Sequence, residues 1–186
     1  VLVTLFAEGH ILVEDYPGVG KTALARALAR SVDCAFARVQ CTADLLPADI
    51  VGTNVYNQRE ARFEFRPGPI FSHIVLADEI NRTSPKVQAA MLEAMAEKQV
   101  TNDNETHPLD ELFFVIATQN PLDVAGTYPL PTPQLDRFLF KLEMKHIERA
   151  AEVEVLRHYP QRSLDQGREL PRVSRAELLA AREAVR

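Results

Sequence analysis

The residues in this chain best suited to chemistry begin with Gly18, Gly20, Lys21 and Thr22, within the stretch EDYPGVGKTAL. Glycines let a backbone turn tightly and aim its N–H groups at an anion. A lysine adds positive charge, and a threonine hydroxyl is a hard oxygen ligand for Mg2+. Together they make most of the phosphate-loop pattern G-x-x-x-x-G-K-[ST]. In that pattern Pro17, Gly18, Val19, Gly20, Lys21, Thr22 and Ala23 would wrap a nucleotide triphosphate, with Lys21 on the β and γ phosphates and Thr22 on the metal. The first position of the pattern holds Asp15 instead of glycine.

A second group is Asp78 and Glu79, which end the apolar run HIVLADEIN. A buried strand that delivers two carboxylates to the end of a parallel sheet can support Mg2+ with one and use the other to orient or deprotonate an attacking water. A third strand, LFFVIATQNP, ends in Thr118, Gln119 and Asn120, and PTPQLDRFLF carries Arg137 just before another. The polar trio fits either a γ-phosphate sensor or a plain strand-end cap. Arg137 fits either an ion pair with Asp136 or a finger reaching a neighbouring subunit's nucleotide. A turn with two glycines and an apolar strand ending in D-E are each common alone; their joint order gives them meaning.

Asp15 tests that reading. A carboxylate facing the triphosphate at about 6 to 8 Å would cost roughly 0.5 to 3 kcal/mol, enough to weaken binding by up to about two orders of magnitude. The first loop position serves the turn more than the phosphates, and aspartate accepts turn geometry and bonds nearby N–H groups. Asp15 is therefore expected to point away and the loop to bind ATP.

These residues need elements to hold them. HILVE upstream of the loop is a short buried strand by pattern, and TALARALARSV downstream sets Leu24, Leu28 and Val32 on one helical face. Apolar stretches at Ile11–Glu14, Ala35–Val39, Ile74–Ala77, Leu112–Ala117 and Phe138–Leu142, with helical patterns between several of them, predict an α/β fold with a mostly parallel five-stranded sheet. Ser84 and Pro85 predict the start of a helix whose face carries Val87, Met91, Leu92 and Met95. Two segments, around Gln58–Ala61 and around Asp103–Asn104, read as inserted β-hairpins. Beyond Met144 two helical patterns, separated by a polar loop holding Pro160 and Pro171, suggest a boundary near residue 145.

The 186 residues are 46% hydrophobic, enough to bury a core. A net charge of −5 and the lack of a basic cluster argue against nucleic acid as the main partner. Cys34 and Cys41 have neither a disulfide framework nor metal-ligand spacing and read as thiols of a reducing compartment, the cytoplasm. No run reaches the roughly eighteen apolar residues of a membrane span. The start at Val1 and the helical pattern at the end predict a piece of a longer protein.

The ordered set PGVGKT, DLLPADIVGT, RPGPIF, LADEINR, KVQAAMLEAMAEKQVT, FFVIATQNP and GTYPLPTPQLDRF, over residues 10 to 143, resembles the AAA+ ATPases of the MoxR family. The resemblance implies an AAA+ P-loop NTPase core over residues 1–144 and the beginning of a helical lid over 145–186. It also implies Mg·ATP hydrolysis in a ring, usually a hexamer, with remodelling or activation of protein clients, often ones bearing von Willebrand factor A domains. Carried over, the loop lysine and threonine fall on Lys21 and Thr22, the metal-supporting aspartate and catalytic glutamate on Asp78 and Glu79, and the sensor on Asn120. The arginine finger falls on Arg137, with Arg82 as the weaker candidate. Two alternatives stay open: a nucleotide-responsive binding module with little turnover, and a chelatase-type motor subunit.

Overall fold

The computed structural model describes residues 1–15, 20–103, 105–121, 126–144, 147–164 and 172–185, with Asp15, 158–164 and 185 described by backbone alone. In chain order the elements are α1 (Leu2–Phe6), β1 (Ile11–Asp15), α2 (Lys21–Ser31), β2 (Phe36–Gln40), α3 (Pro47–Val51), β3 (Gly52–Asn57), β4 (Arg62–Pro67), β5 (Ile74–Asp78) and α4 (Pro85–Glu97). There follow β6 (Gln99–Asn102), β7 (Glu105–Pro108), β8 (Phe114–Gln119), α5 (Thr132–Leu135), β9 (Phe140–Met144), α6 (Arg149–Leu164) and α7 (Arg175–Val185).

β1, β2, β5, β8 and β9 form one parallel sheet in the order β2-β5-β8-β1-β9. β5 is buried along its whole length and β8 from Phe114 to Thr118, as suits runs that are apolar on both faces and covered by helices on both sides. β9 is an edge strand whose side chains are mostly exposed. The two-residue period splits the rest into two cores. Ile11, Val13, Ile74, Leu76, Phe114 and Ile116 face Ala25, Leu28 and Ala29 of α2. Leu12, Val39, Val75, Ala77, Val115 and Ala117 face Ile50 of α3 and Val87, Met91, Leu92 and Met95 of α4. Each large aliphatic side chain buried this way contributes about 1.5 to 3 kcal/mol of transfer free energy.

The five strands of the main sheet and helix α2 lie within two residues of the positions read from the sequence. Leu112 and Phe113 are buried in the turn ahead of β8 rather than in the strand, and β9 begins at Phe140 rather than Phe138. Ser84 caps α4 with extended backbone and Pro85 at the first helical position, but makes no side-chain cap bond. Both hairpins are present: β3 pairs antiparallel with β4, and β6 with β7. Gly52 opens the first at φ 100°, and a Cβ there would lie 2.3 Å from the Arg66 carbonyl, so only glycine fits. The hairpins lean on each other through Asn54 Nδ2 donating to Asp103 Oδ2 at 2.9 Å and a stacked Phe65–His107 pair.

The C-terminal segment is not all alike. α6 runs through Pro160, which the sequence reading placed in the connecting loop. α7 returns to the core: Leu178 joins the cluster under α2, and the buried Arg182 donates to the carbonyls of Leu5 and Glu111.

Candidate active site

Asp15 is the last residue of β1 and pairs with Met144. Extended backbone is open to any residue, so this position does not need glycine. Pro17, Gly18 and Val19 lie outside the described residues. Gly20 does need to be glycine: it caps α2 at φ 95°, ψ 15°, the left-handed region, with open space where a side chain would stand. From it α2 begins with Lys21, Thr22 and Ala23, and its first turn carries no acidic side chain. Such a helix start aims N–H groups and the positive end of the helix dipole back toward the loop.

α2 covers the sheet face that carries Leu76 and Ile116, and the same two-residue period brings Asp78 and Thr118 to that face at the strand ends. Lys21 therefore stands over Asp78, with Nζ 3.1 Å from Oδ1. Thr118 Oγ1 donates to the same oxygen at 2.8 Å. Arg38, on the neighbouring edge strand β2, holds Oδ2 through Nη2 at 2.5 Å and Nε at 3.2 Å. Burial pushes the Asp78 carboxyl up, but the hydrogen bonds from Arg38, Thr118 and Lys21 outweigh it and hold it below the usual carboxylate range. Asp78 is thus a buried, fully charged carboxylate at neutral pH.

Glu79 follows in left-handed backbone, φ 61°, ψ 51°. Its N–H donates to Thr118 Oγ1 at 2.9 Å, while Oε2 accepts from Gln40 Nε2 at 3.3 Å and pairs with Arg82 Nε at 3.2 Å. The chain then turns through Asn81 to Thr83. Gln88 of α4, itself buried, clamps that turn by donating to the carbonyls of Ile80, Thr83 and Tyr128.

Lys21 is thus brought to Asp78, with Glu79 next in the chain and Thr22 and Ala23 in the same helical turn as Lys21. Asn120 lies one residue beyond β8 at the same sheet edge, next to Gln119, whose Nε2 donates to Glu14 Oε1 at 2.6 Å. Arg137 does not join this group. It precedes β9 at the opposite end of the sheet and donates through Nη1 to the Leu92 carbonyl of α4. Arg38, Gln40 and Gln88 were not singled out in the sequence. Arg38 and Gln40 did leave a signal, polar residues alternating with Ala37 and Val39 in a strand, which marks an edge. Gln88 left none beyond its place among apolar helix neighbours.

The donors present suit a nucleotide with its metal: a glycine-capped helix start free of acidic side chains, an ammonium group, a helix-start hydroxyl and a charged carboxylate. The sequence profile of the ATPase family associated with various cellular activities (AAA) matches residues 10–140, spanning the glycine loop, both carboxylates and β8. The chain belongs to the MoxR family of AAA+ ATPases. Among MoxR relatives, Chaperone MoxR1 of Mycobacterium tuberculosis is 45% identical over 156 residues, 84% of this chain and 41% of that protein. The uncharacterised protein YeaC of Bacillus subtilis is 58% identical over 155 residues, 83% of this chain and 48% of its own. A crystal structure of a candidate ATPase from Cytophaga hutchinsonii superimposes with a TM-score of 0.83 at 43% identity, over 99% of this chain and 56% of that one. The MoxR-family chain thus spans about half the length of these relatives. Among its described residues, no helix is long and apolar enough to cross a membrane.

Proposed function

We propose that this chain is the nucleotide-binding part of a Mg2+-dependent, ring-forming ATPase whose turnover remodels or activates partner proteins. The observation that carries the reading is the meeting of Lys21 and Asp78, 3.1 Å apart, at the start of α2. Lys21 is suited to the β and γ phosphates, and Thr22 and Asp78 to the metal. Bound there, Mg2+ would neutralise charge developing on the phosphates. Glu79 would orient and deprotonate the attacking water, and Asn120 would sense the γ-phosphate. Arg137, remote from its own subunit's site, suits action on a neighbour in a hexameric ring. Residues 1–144 form the core in this reading and 145–186 begin the helical lid, with α7 anchored by Leu178 and Arg182. The proposed compartment is the cytoplasm and the proposed clients are proteins, including those with von Willebrand factor A domains.

The test is calorimetric titration with Mg2+ and a slowly hydrolysed ATP analogue. Micromolar binding that Lys21→Ala abolishes and Asp15→Gly scarcely changes supports the site; binding that appears only in Asp15→Gly means a silenced loop. A low-turnover binding module is favoured by one observation, that Gln40 and Arg82 both engage Glu79 Oε2 and so occupy one of the two oxygens that would act on the attacking water. Steady-state phosphate release equal in wild type and Glu79→Gln, with tight analogue binding in both, would select that second reading.

A further inference from the structure

Thr118 sits at the polar end of β8, where a sequence reader expects contact with phosphate or water, yet it is wholly buried beneath the two carboxylates. Its hydroxyl proton is committed to Asp78 Oδ1 at 2.8 Å, and its oxygen accepts the Glu79 N–H at 2.9 Å. We propose that Thr118 is a positioning residue that sets Asp78 and Glu79 as one unit and ties both to the strand that carries Asn120. The inference rests on the ATPase reading for its consequence, though not for its geometry.

Three features favour this role. Adjacent residues of a continuing strand point to opposite faces, so using Asp78 and Glu79 at one site requires the chain to turn sharply between them. The left-handed backbone at Glu79 makes that turn, a conformation strained for a non-glycine residue, and the hydrogen bond to Thr118 offsets part of the strain. Second, the other two side chains on Asp78, Lys21 and Arg38, are long and partly exposed, at 17% and 41%. Thr118 is short, β-branched and enclosed, so among the described contacts it is the one that sets the carboxylate's angle most stiffly. Third, Ala117 pairs with Ala77, so the sheet register itself delivers the hydroxyl to the Asp78 level. A shift at the end of β8, where Asn120 would meet the γ-phosphate, would move both carboxylates with it.

The test compares Thr118→Val, which keeps the shape and removes the hydroxyl, with Thr118→Ser, which keeps the hydroxyl and removes a methyl. Backbone amide exchange at Glu79 is followed by NMR, alongside kcat, KM and thermal melting. The expected result for Thr118→Val is loss of Glu79 amide protection, a kcat about 10- to 100-fold lower and a KM within about threefold of wild type. Thr118→Ser should restore the protection and most of kcat, although it leaves the larger void. Unchanged Glu79 protection in Thr118→Val would overturn the proposal whether or not the chain turns over ATP. So would a Ser variant no better than Val, with activity tracking melting temperature alone. A wild type with protected Glu79 but no nucleotide binding would sink the ATPase reading and leave the positioning geometry standing.

Discussion

Lys21 Nζ lies 3.1 Å from Asp78 Oδ1, although the strands that lead to them, β1 and β5, are separated by β8. The contact is possible because α2 crosses the sheet face on which Asp78 emerges. It also has redundancy, since Arg38 and Thr118 hold the same carboxylate. Removing one partner of a buried charge pair costs about 3 to 5 kcal/mol when nothing else compensates. Here Lys21→Ala is expected to cost only about 1 kcal/mol of stability while nucleotide affinity falls at least tenfold, because a charged hydrogen bond is worth about 1.5 to 3 kcal/mol. Urea denaturation beside calorimetry checks the contrast. A large stability loss would show that Arg38 and Thr118 do not compensate.

Gln88 is buried and shares its amide N–H groups among three backbone carbonyls on the turn after Glu79 and on the segment before α5. Gln88→Leu keeps the volume but leaves those acceptors with no donor from α4. We expect a loss of about 1 to 3 kcal/mol in chemical denaturation, with an unchanged m-value. A neutral Leu variant would mean that the clamp adds nothing to the turn.

The two free cysteines differ in setting. Burial, with the Asp78 and Glu79 charges behind it, pushes the Cys41 thiol up to about 12, while Cys34 is raised by burial but only partly enclosed. Since the thiolate is the nucleophile, iodoacetamide at pH 8 should label Cys34 slowly and Cys41 only as the chain unfolds. Peptide mass spectrometry over time distinguishes them. Early labelling of Cys41 would contradict its burial in the core beneath α3 and α4.

Asp110 links α7 to the far end of the sheet: its oxygens accept from Arg175 Nη2 at 2.9 and 3.0 Å, and Oδ1 also accepts the Leu112 N–H. Burial pushes its carboxyl up, but the Leu112 and Arg175 bonds bring it below its ordinary value of 3.8. A folded-state pKa below the unfolded one adds stability that is fully present above the unfolded value and lost as pH falls through the folded one. Asp110→Asn should therefore lower Tm by a few degrees at pH 7, by the same amount at pH 5, and by progressively less below about pH 4. A difference that grows on acidification would reverse the assigned sign.

Much of this architecture is legible along the chain because its signals are local. Continuous apolar runs mark β5 and β8, the period of α2 and α4 marks their buried faces, and Gly20 stands where left-handed backbone is required. The candidate site residues, Lys21, Thr22, Asp78, Glu79 and Asn120, are legible for the same reason: each lies at or beside the end of a local element. The apparent conflict at Asp15 came from pattern alone, and its backbone removes the need for glycine by keeping that residue in β1.

Neighbour relations are a different matter. Alternation tells which residues of a strand share a face, but not which strand lies beside it, because that follows from helix packing between segments far apart in the chain. Only the order β2-β5-β8 brings the Arg38 guanidinium and the Thr118 hydroxyl to opposite sides of Asp78, and only the crossing of α2 sets Lys21 above it. The chain by itself determined the fold class and the chemical groups at the strand ends. Tertiary packing decided which charges meet, since a contact between distant residues depends on strand order and register that no local propensity encodes.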